Sequence, residues 1–169
     1  MSLNSFYPSN QAFFGVGNLH HITRGDFMNQ KMNSNIPPVA SGIFTLPPYD
    51  DDPPRLLGGF CKECNRKYFP RPKYCCACLG PVKECDLGSD GTIYSFTVVR
   101  TKPPWGLPQP YSAGYIDLAS GLRIYCLLDP AAIDQLQIGM PVRLAVEPLG
   151  NDVNGSPCLR PFFAPLTGE

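Results

Sequence analysis

Histidine is almost missing from this sequence: His20 and His21, side by side, are the only two in 169 residues. Tryptophan occurs once, at Trp105. There is no Gly-rich phosphate loop of either common pattern and no Gly-x-Ser-x-Gly elbow, so the two commonest cradle and nucleophile motifs do not apply. No stretch approaches the roughly 18 apolar residues that a membrane-spanning helix requires. Charge of one sign is not in excess either, with 14 Lys+Arg against 14 Asp+Glu. A nucleic-acid coat or a polybasic membrane binder needs a large positive surplus, and the balance argues against both. The first thirty residues carry no continuous apolar segment after a basic start. No secretory signal is therefore expected, and the chain reads as soluble and cytoplasmic.

Proline and glycine are plentiful instead, at 20 and 16 residues, which predicts few long helices and many loops. Hydrophobic residues still make 43% and aromatics 11%, more than a disordered chain carries. The length suits one ordinary domain, or a small domain joined to a stapled mini-domain.

Eight cysteines in a cytoplasmic chain call for a role other than disulfides. Five of them fall within eighteen residues, in two knuckles: Cys61-Lys-Glu-Cys64 and Cys75-Cys-Ala-Cys78. Two residues between sulfurs allow one tight turn to aim both thiolates at a point, and two such turns complete a tetrahedron. Zinc accepts four sulfurs in that geometry with no position left for water, so the site predicted at Cys61, Cys64, Cys75 and Cys78 is structural. An iron centre uses the same donors, and the spacing alone leaves zinc and iron both open. Cys76, inside the second knuckle, makes a poorer pair with Cys78, so Cys75 and Cys78 are the preferred ligands there. Cys85, Cys126 and Cys158 stand among apolar neighbours and read as small buried hydrophobes.

Between the knuckles, Asn65 to Tyr74 reads as a short hairpin, with Pro70 and Pro72 limiting its pairing. Residues 61–85 hold six basic groups and two acidic ones, a modest basic face that serves either solubility or phosphate contact. Residues 1–55 are read as an extended proline-rich arm that orders on another protein surface, or else as a solvated leader. Residues 56–85 are the ribbon. From 86 to 169 the pattern is strands: Gly91–Arg100, Ala113–Leu118, Leu122–Leu128, Gly139–Glu147 and Pro157–Ala164. One short helix is expected after Asp129, with Asp129 as N-cap and Pro130 in the first turn. Five strands with one late helix predict a mostly-β chain whose second part is an OB-fold barrel. Asp117, Asp129 and Asp134 look like turn and cap residues, and both histidines lie in the arm, so catalysis by this chain alone is not expected.

Taken in order, Cys61-x-x-Cys64, Tyr68-Phe-Pro-Arg71, Cys75-x-x-Cys78, Gly91-Thr-Ile-Tyr-Ser-Phe-Thr-Val-Val, Gly114-Tyr-Ile-Asp-Leu118 and Ile138-Gly-Met-Pro-Val142 resemble an acyl-CoA-associated family. Its members are small proteins encoded beside thiolases, with a rubredoxin-like zinc ribbon leading into an OB-fold. The likeness covers roughly residues 56–165, and the long arm departs from the helical leader many members show. It implies a non-catalytic accessory subunit, with one structural zinc per chain, packed on a thiolase-fold catalytic subunit in a hetero-oligomer. It also implies coenzyme A or acyl-CoA shared with that partner. Lys62, Arg66, Lys67, Arg71 and Lys73 would then meet its phosphates, and Trp105 and Tyr111 its apolar arm. Trp105 could equally cap the barrel core. An aromatic acyl-CoA such as benzoylsuccinyl-CoA is one substrate the resemblance allows.

The competing reading is a single-stranded nucleic-acid-binding OB-fold protein. Outside residues 61–85 the chain has 14 − 6 = 8 basic and 14 − 2 = 12 acidic residues, a poor supply for a phosphate groove.

Overall fold

The chain, seen in a computed structural model, is described over residues 36–47 and 52–166. His20, His21 and the expectations for residues 1–35 lie outside that range. Its strands are β1 (Leu56–Cys61), β2 (Arg66–Tyr68), β3 (Lys83–Gly88), β4 (Asp90–Val99), β5 (Tyr111–Leu118), β6 (Arg123–Leu128), β7 (Pro141–Asn151) and β8 (Pro157–Pro165). A 3₁₀ helix at Pro130–Gln135 joins β6 to β7.

β4 to β8 close a barrel in the order β4-β5-β6-β8-β7, with β7 returning to β4 through Asp90↔Arg143 and Gly91↔Val142. This is the five-stranded Greek-key order of an OB-fold, as the strand spacing predicts. Alternation builds it: Ile93, Ile116 and Ile124 are buried while the adjacent Tyr94, Tyr115 and Tyr125 are exposed. On β4 the alternation does not run unbroken. The register shifts between Ile93 and Ser95, where Tyr94 is the extra residue of a bulge, and Phe96 then packs against the core. Gly114 lets β4 and β5 touch there, since a Cβ would collide with the Ser95 carbonyl oxygen.

The expected helix is a 3₁₀ turn, six residues long and too short for a settled α-helix. Its N-cap is Asp129, whose Oδ1 accepts from the Ala131 N–H at 2.8 Å. No helix among the described residues is long and apolar enough to cross a membrane.

The cysteine-bearing half forms a separate sheet, β2-β1-β3. The hairpin expected at Asn65–Tyr74 does not form. β2 turns back on β1 instead, with Gly59↔Tyr68, Phe60↔Lys67 and Cys61↔Arg66, so the hairpin encloses the first knuckle. Pro70 and Pro72 supply no N–H for the other pairing. Among the described residues the only contact of that kind is a single bridge, Tyr74↔Pro81, around the second knuckle. β3 runs through the border drawn at 85/86. Leu56 of β1 and Leu87 of β3 are buried in one cluster with the barrel's Ile93, Ile116, Val142 and Phe163.

Residues 36–47, read from sequence as part of the arm, lie on the chain's own barrel. Val39 N donates to Leu159 O and Leu159 N to Pro37 O, both at 2.8 Å, alongside β8. Phe44 bridges to Leu56 of β1, and its side chain, 3% exposed, packs with Val146 and Leu159. The segment straps sheet to barrel.

Truncating Phe44 removes that strap's largest buried group. Phe44→Ala is expected to cost about 3–5 kcal/mol in chemical denaturation, whereas Leu46→Ala, at an exposed site, changes stability by less than about 0.5 kcal/mol. Equal effects would contradict the packing. A second prediction concerns acid. Arg123 donates to both Asp117 oxygens, at 2.6 and 2.9 Å, and holds the carboxyl below its usual range. A depressed folded-state pKa contributes stability above the unfolded value and loses it as pH falls through the folded one. The difference between the parent and Asp117→Asn in urea midpoint should thus be present at neutral pH and shrink as the pH falls through and below the ordinary carboxylate range.

Candidate metal centre and exposed tyrosine face

β1 delivers Cys61 at its last residue, and the chain turns through Cys64 into β2, with Asn65 at φ 51°. Asparagine tolerates that left-handed conformation better than most side chains. The second knuckle closes by Cys75 N to Gly80 O at 2.8 Å and Leu79 N to Cys75 O at 2.9 Å. A Cβ at position 80 would press on Cys78 Sγ at 3.2 Å, so glycine keeps the sulfur's space free.

The two knuckles converge. The sulfurs of Cys61, Cys64, Cys75 and Cys78 all lie within 4.8 Å of one another, and Cys61 Sγ to Cys78 Sγ is 3.6 Å. A tetrahedron with metal–sulfur bonds of about 2.3 Å has edges of about 3.8 Å, so the quartet could hold one ion. Cys61 and Cys75 are buried, Cys64 half-buried and Cys78 exposed. Cys76 is exposed and outside the quartet.

Backbone and side-chain donors surround the sulfurs. Ala77 N–H points at Cys75 Sγ and Gly80 N–H at Cys78 Sγ, both at 3.4 Å. The Tyr68 hydroxyl, with the backbone N–H groups of Ala77 and Cys78, pulls the Cys75 thiol down to about 6. Cys64 moves the other way, up to about 12, through its hydrogen bond with Cys78 and through burial. Four negative sulfurs cannot share this space without a cation, so a bound ion would release protons.

Cys158 is buried as expected; Cys85 and Cys126 are half-buried against the barrel core. Burial pushes the Cys126 thiol up to about 12. Asp117 is paired with Arg123, and Asp129 caps the 3₁₀ helix.

The basic candidates are spread along the ribbon. Lys62 and Arg66 are exposed, Lys67 Nζ donates to Ser120 O at 2.9 Å, Arg71 pairs with Glu84 at 3.4 Å, and Lys73 lies over Tyr74. Trp105 does not cap the core: it is 55% exposed, with the Arg160 guanidinium 5.7 Å from its ring centre. Tyr111 is half-buried at the start of β5. Ser120, which receives Lys67, follows the other end of that eight-residue strand, about 23 Å away at the rise of a β-strand. The structure thus does not gather the ribbon cations with Trp105 and Tyr111.

It does gather residues that sequence reasoning passed over. Tyr94, Tyr115 and Tyr125 lie on the adjacent strands β4, β5 and β6, exposed by 50%, 47% and 61%. Tyr115 and Tyr125 are register partners with ring centres 5.4 Å apart. The Arg123 guanidinium lies 3.2 Å from the centre of the Tyr94 ring while bound to Asp117. The signal was present: each tyrosine is next to a buried isoleucine in a strand, which turns the tyrosine outward.

The fold and the cysteine sheet together define the class: a closed OB barrel carrying a four-cysteine ribbon. Residues 84–147 match the family model described as ChsH2, C-terminal OB-fold domain. A benzoylsuccinyl-CoA thiolase subunit BbsA from Geobacter metallireducens is 30% identical over 103 residues, covering 60% of this chain and 68% of that protein. Its namesake from Thauera aromatica is 39% identical over 85 residues, covering 50% of this chain. The chain spans only 58% of that relative's length. A DUF35 domain-containing scaffold protein from Methanocaldococcus jannaschii is 29% identical over 100 residues, covering 57% of this chain and 71% of that one. Among solved structures, the Ltp2-ChsH2(DUF35) aldolase aligns with a TM-score of 0.55 and 27% identity, covering 67% of this chain and 86% of the matched chain. The chain belongs to the DUF35 family with a ChsH2-type OB-fold.

A ligand-set prediction separates Cys75 from its neighbour. Cys75→Ser should abolish stoichiometric metal binding, measured by elemental analysis of the purified chain, while Cys76→Ser should retain one ion per chain. The reverse pattern would relocate the site.

Proposed function

We propose that this chain is a non-catalytic, zinc-stapled accessory subunit of a thiolase-type complex in the cytoplasm. The observation that carries the reading is the tyrosine face on β4–β6. Tyrosine and arginine are the side chains that dominate protein interfaces, because each buries much area for little lost rotamer freedom. Arg123 is already fixed by Asp117 and stacked on Tyr94, so docking would cost it little further ordering. The occupant proposed is the thiolase-fold catalytic subunit. The two BbsA relatives support this, being named as thiolase subunits, and so does the structural neighbour, a DUF35 protein in an aldolase assembly.

Zinc at Cys61, Cys64, Cys75 and Cys78 would hold the ribbon, with no coordination position left for chemistry. The ribbon at 56–85 and the barrel at 86–169 act in this reading as one platform. Coenzyme A or acyl-CoA is shared with the partner. Lys62 and Arg66, free of ion pairs among the described residues, are the cations best placed to meet its phosphates, with Lys67, Arg71 and Lys73 beside them. Trp105 and Tyr111, at the far end of β5, would meet only a part of the ligand or partner remote from those phosphates. The names of the relatives support aromatic acyl-CoA cleavage as the reaction, with benzoylsuccinyl-CoA as the first substrate to assay.

Affinity isolation from the native host tests the reading. The tagged chain should recover a larger subunit that performs CoA-dependent thiolysis, and the chain alone should perform none. Replacing Tyr115 and Tyr125 together by alanine should weaken recovery by about tenfold or more. Turnover by the isolated chain would overturn the proposal. So would tight oligonucleotide binding that weakens steeply with salt and is lost in the tyrosine variant, which would give the face to single-stranded nucleic acid.

A further inference from the structure

Tyr68 ends β2 opposite Gly59 of β1, next to the second knuckle. Its hydroxyl oxygen is 3.0 Å from Cys75 Sγ and 3.6 Å from Cys76 Sγ. A metal-bound thiolate has no proton to give, so towards Cys75 the phenol has to be the donor. With the phenol hydrogen committed to Cys75, the contact with Cys76, exposed and outside the quartet, takes the thiol as donor. A directed chain results: Cys76 S–H to Tyr68 O, then Tyr68 O–H to Cys75 S⁻. Among the described residues no side-chain hydroxyl reaches the other three sulfurs, so the quartet is electronically uneven.

We infer that Tyr68 is a positioning residue of the metal centre, whose hydroxyl donates to the Cys75 thiolate and lowers the electron donation of that one sulfur to the ion. The inference rests on the four-sulfur metal reading above. Partners that hydrogen-bond a ligand tune metal affinity, and hydrogen bonds to sulfur raise the reduction potential of an iron centre. Packing alone cannot do either, because phenylalanine would fill the same volume.

The test uses the full chain and its Tyr68→Phe variant, each loaded separately with zinc, cobalt and iron. The variant should still bind one ion per chain. Its sulfur-to-cobalt charge-transfer band should move to longer wavelength, and its iron centre should become harder to reduce. Cys76→Ala should keep the parent's band, since Cys76 meets only the oxygen. Placing 3,5-difluorotyrosine at position 68 strengthens the donor and should shift band and potential in the opposite directions. This second variant reads the bond even if Tyr68→Phe does not fold. Unchanged spectra and potential in metal-loaded Tyr68→Phe, or no shift with the fluorinated ring, would overturn the inference alone. A parent chain that takes up no metal at the quartet would overturn the metal reading as well.

Discussion

Leu56 and Leu87 belong to the cysteine-bearing sheet, yet both are buried in the core of the barrel. The rest of the structure depends on that shared core. A small ribbon has too little apolar surface to fold by burial alone, and here it uses the barrel's. The strap at 36–47 fixes the same junction from outside, pairing with β8 on one side and β1 on the other. Lys67 on Ser120 adds a third, weaker tie at the β5–β6 turn. The sulfur quartet and the tyrosine face are therefore positioned by a single packed body.

Much of this was legible in the sequence because two periodicities carry it. Two-residue spacing between cysteines announces knuckles, and Ile-Tyr alternation announces half-buried strands. All five barrel strands and the Asp129 cap follow from such local rules. What was not legible depends on pairing between distant segments. Nothing local tells β2 to pair with β1 across the first knuckle. The bulge at Tyr94 reverses the phase of β4 with no glycine or proline of its own to mark it. Phe44 reads as an isolated aromatic in a proline-rich stretch until Val146 and Leu159 are beside it.

The candidate site divides in the same way. The cysteine quartet could be named in advance because its chemistry is written in spacing. The basic residues could not be sorted, since side-chain type does not reveal that Arg71 is held by Glu84 and Lys67 by Ser120. Trp105 and the ribbon cations looked like parts of one ligand site only while the length of β5 between them was unknown. The tyrosine face was hidden for a different reason: its members are 21 and 10 residues apart and meet only when β4, β5 and β6 are laid side by side.

In the proposed reading, a structural metal at the quartet and docking at the tyrosine face make this chain a part that organises a reaction performed elsewhere. Hydroxyl-radical footprinting of the chain, free and in complex with the proposed catalytic partner, reads that claim at the side chains concerned. Tyr94, Tyr115 and Tyr125 should lose most of their labelling in the complex, while Leu79 and Val153, exposed by 77% and 88%, keep theirs. Full labelling of the three tyrosines in an intact, active complex would contradict the account.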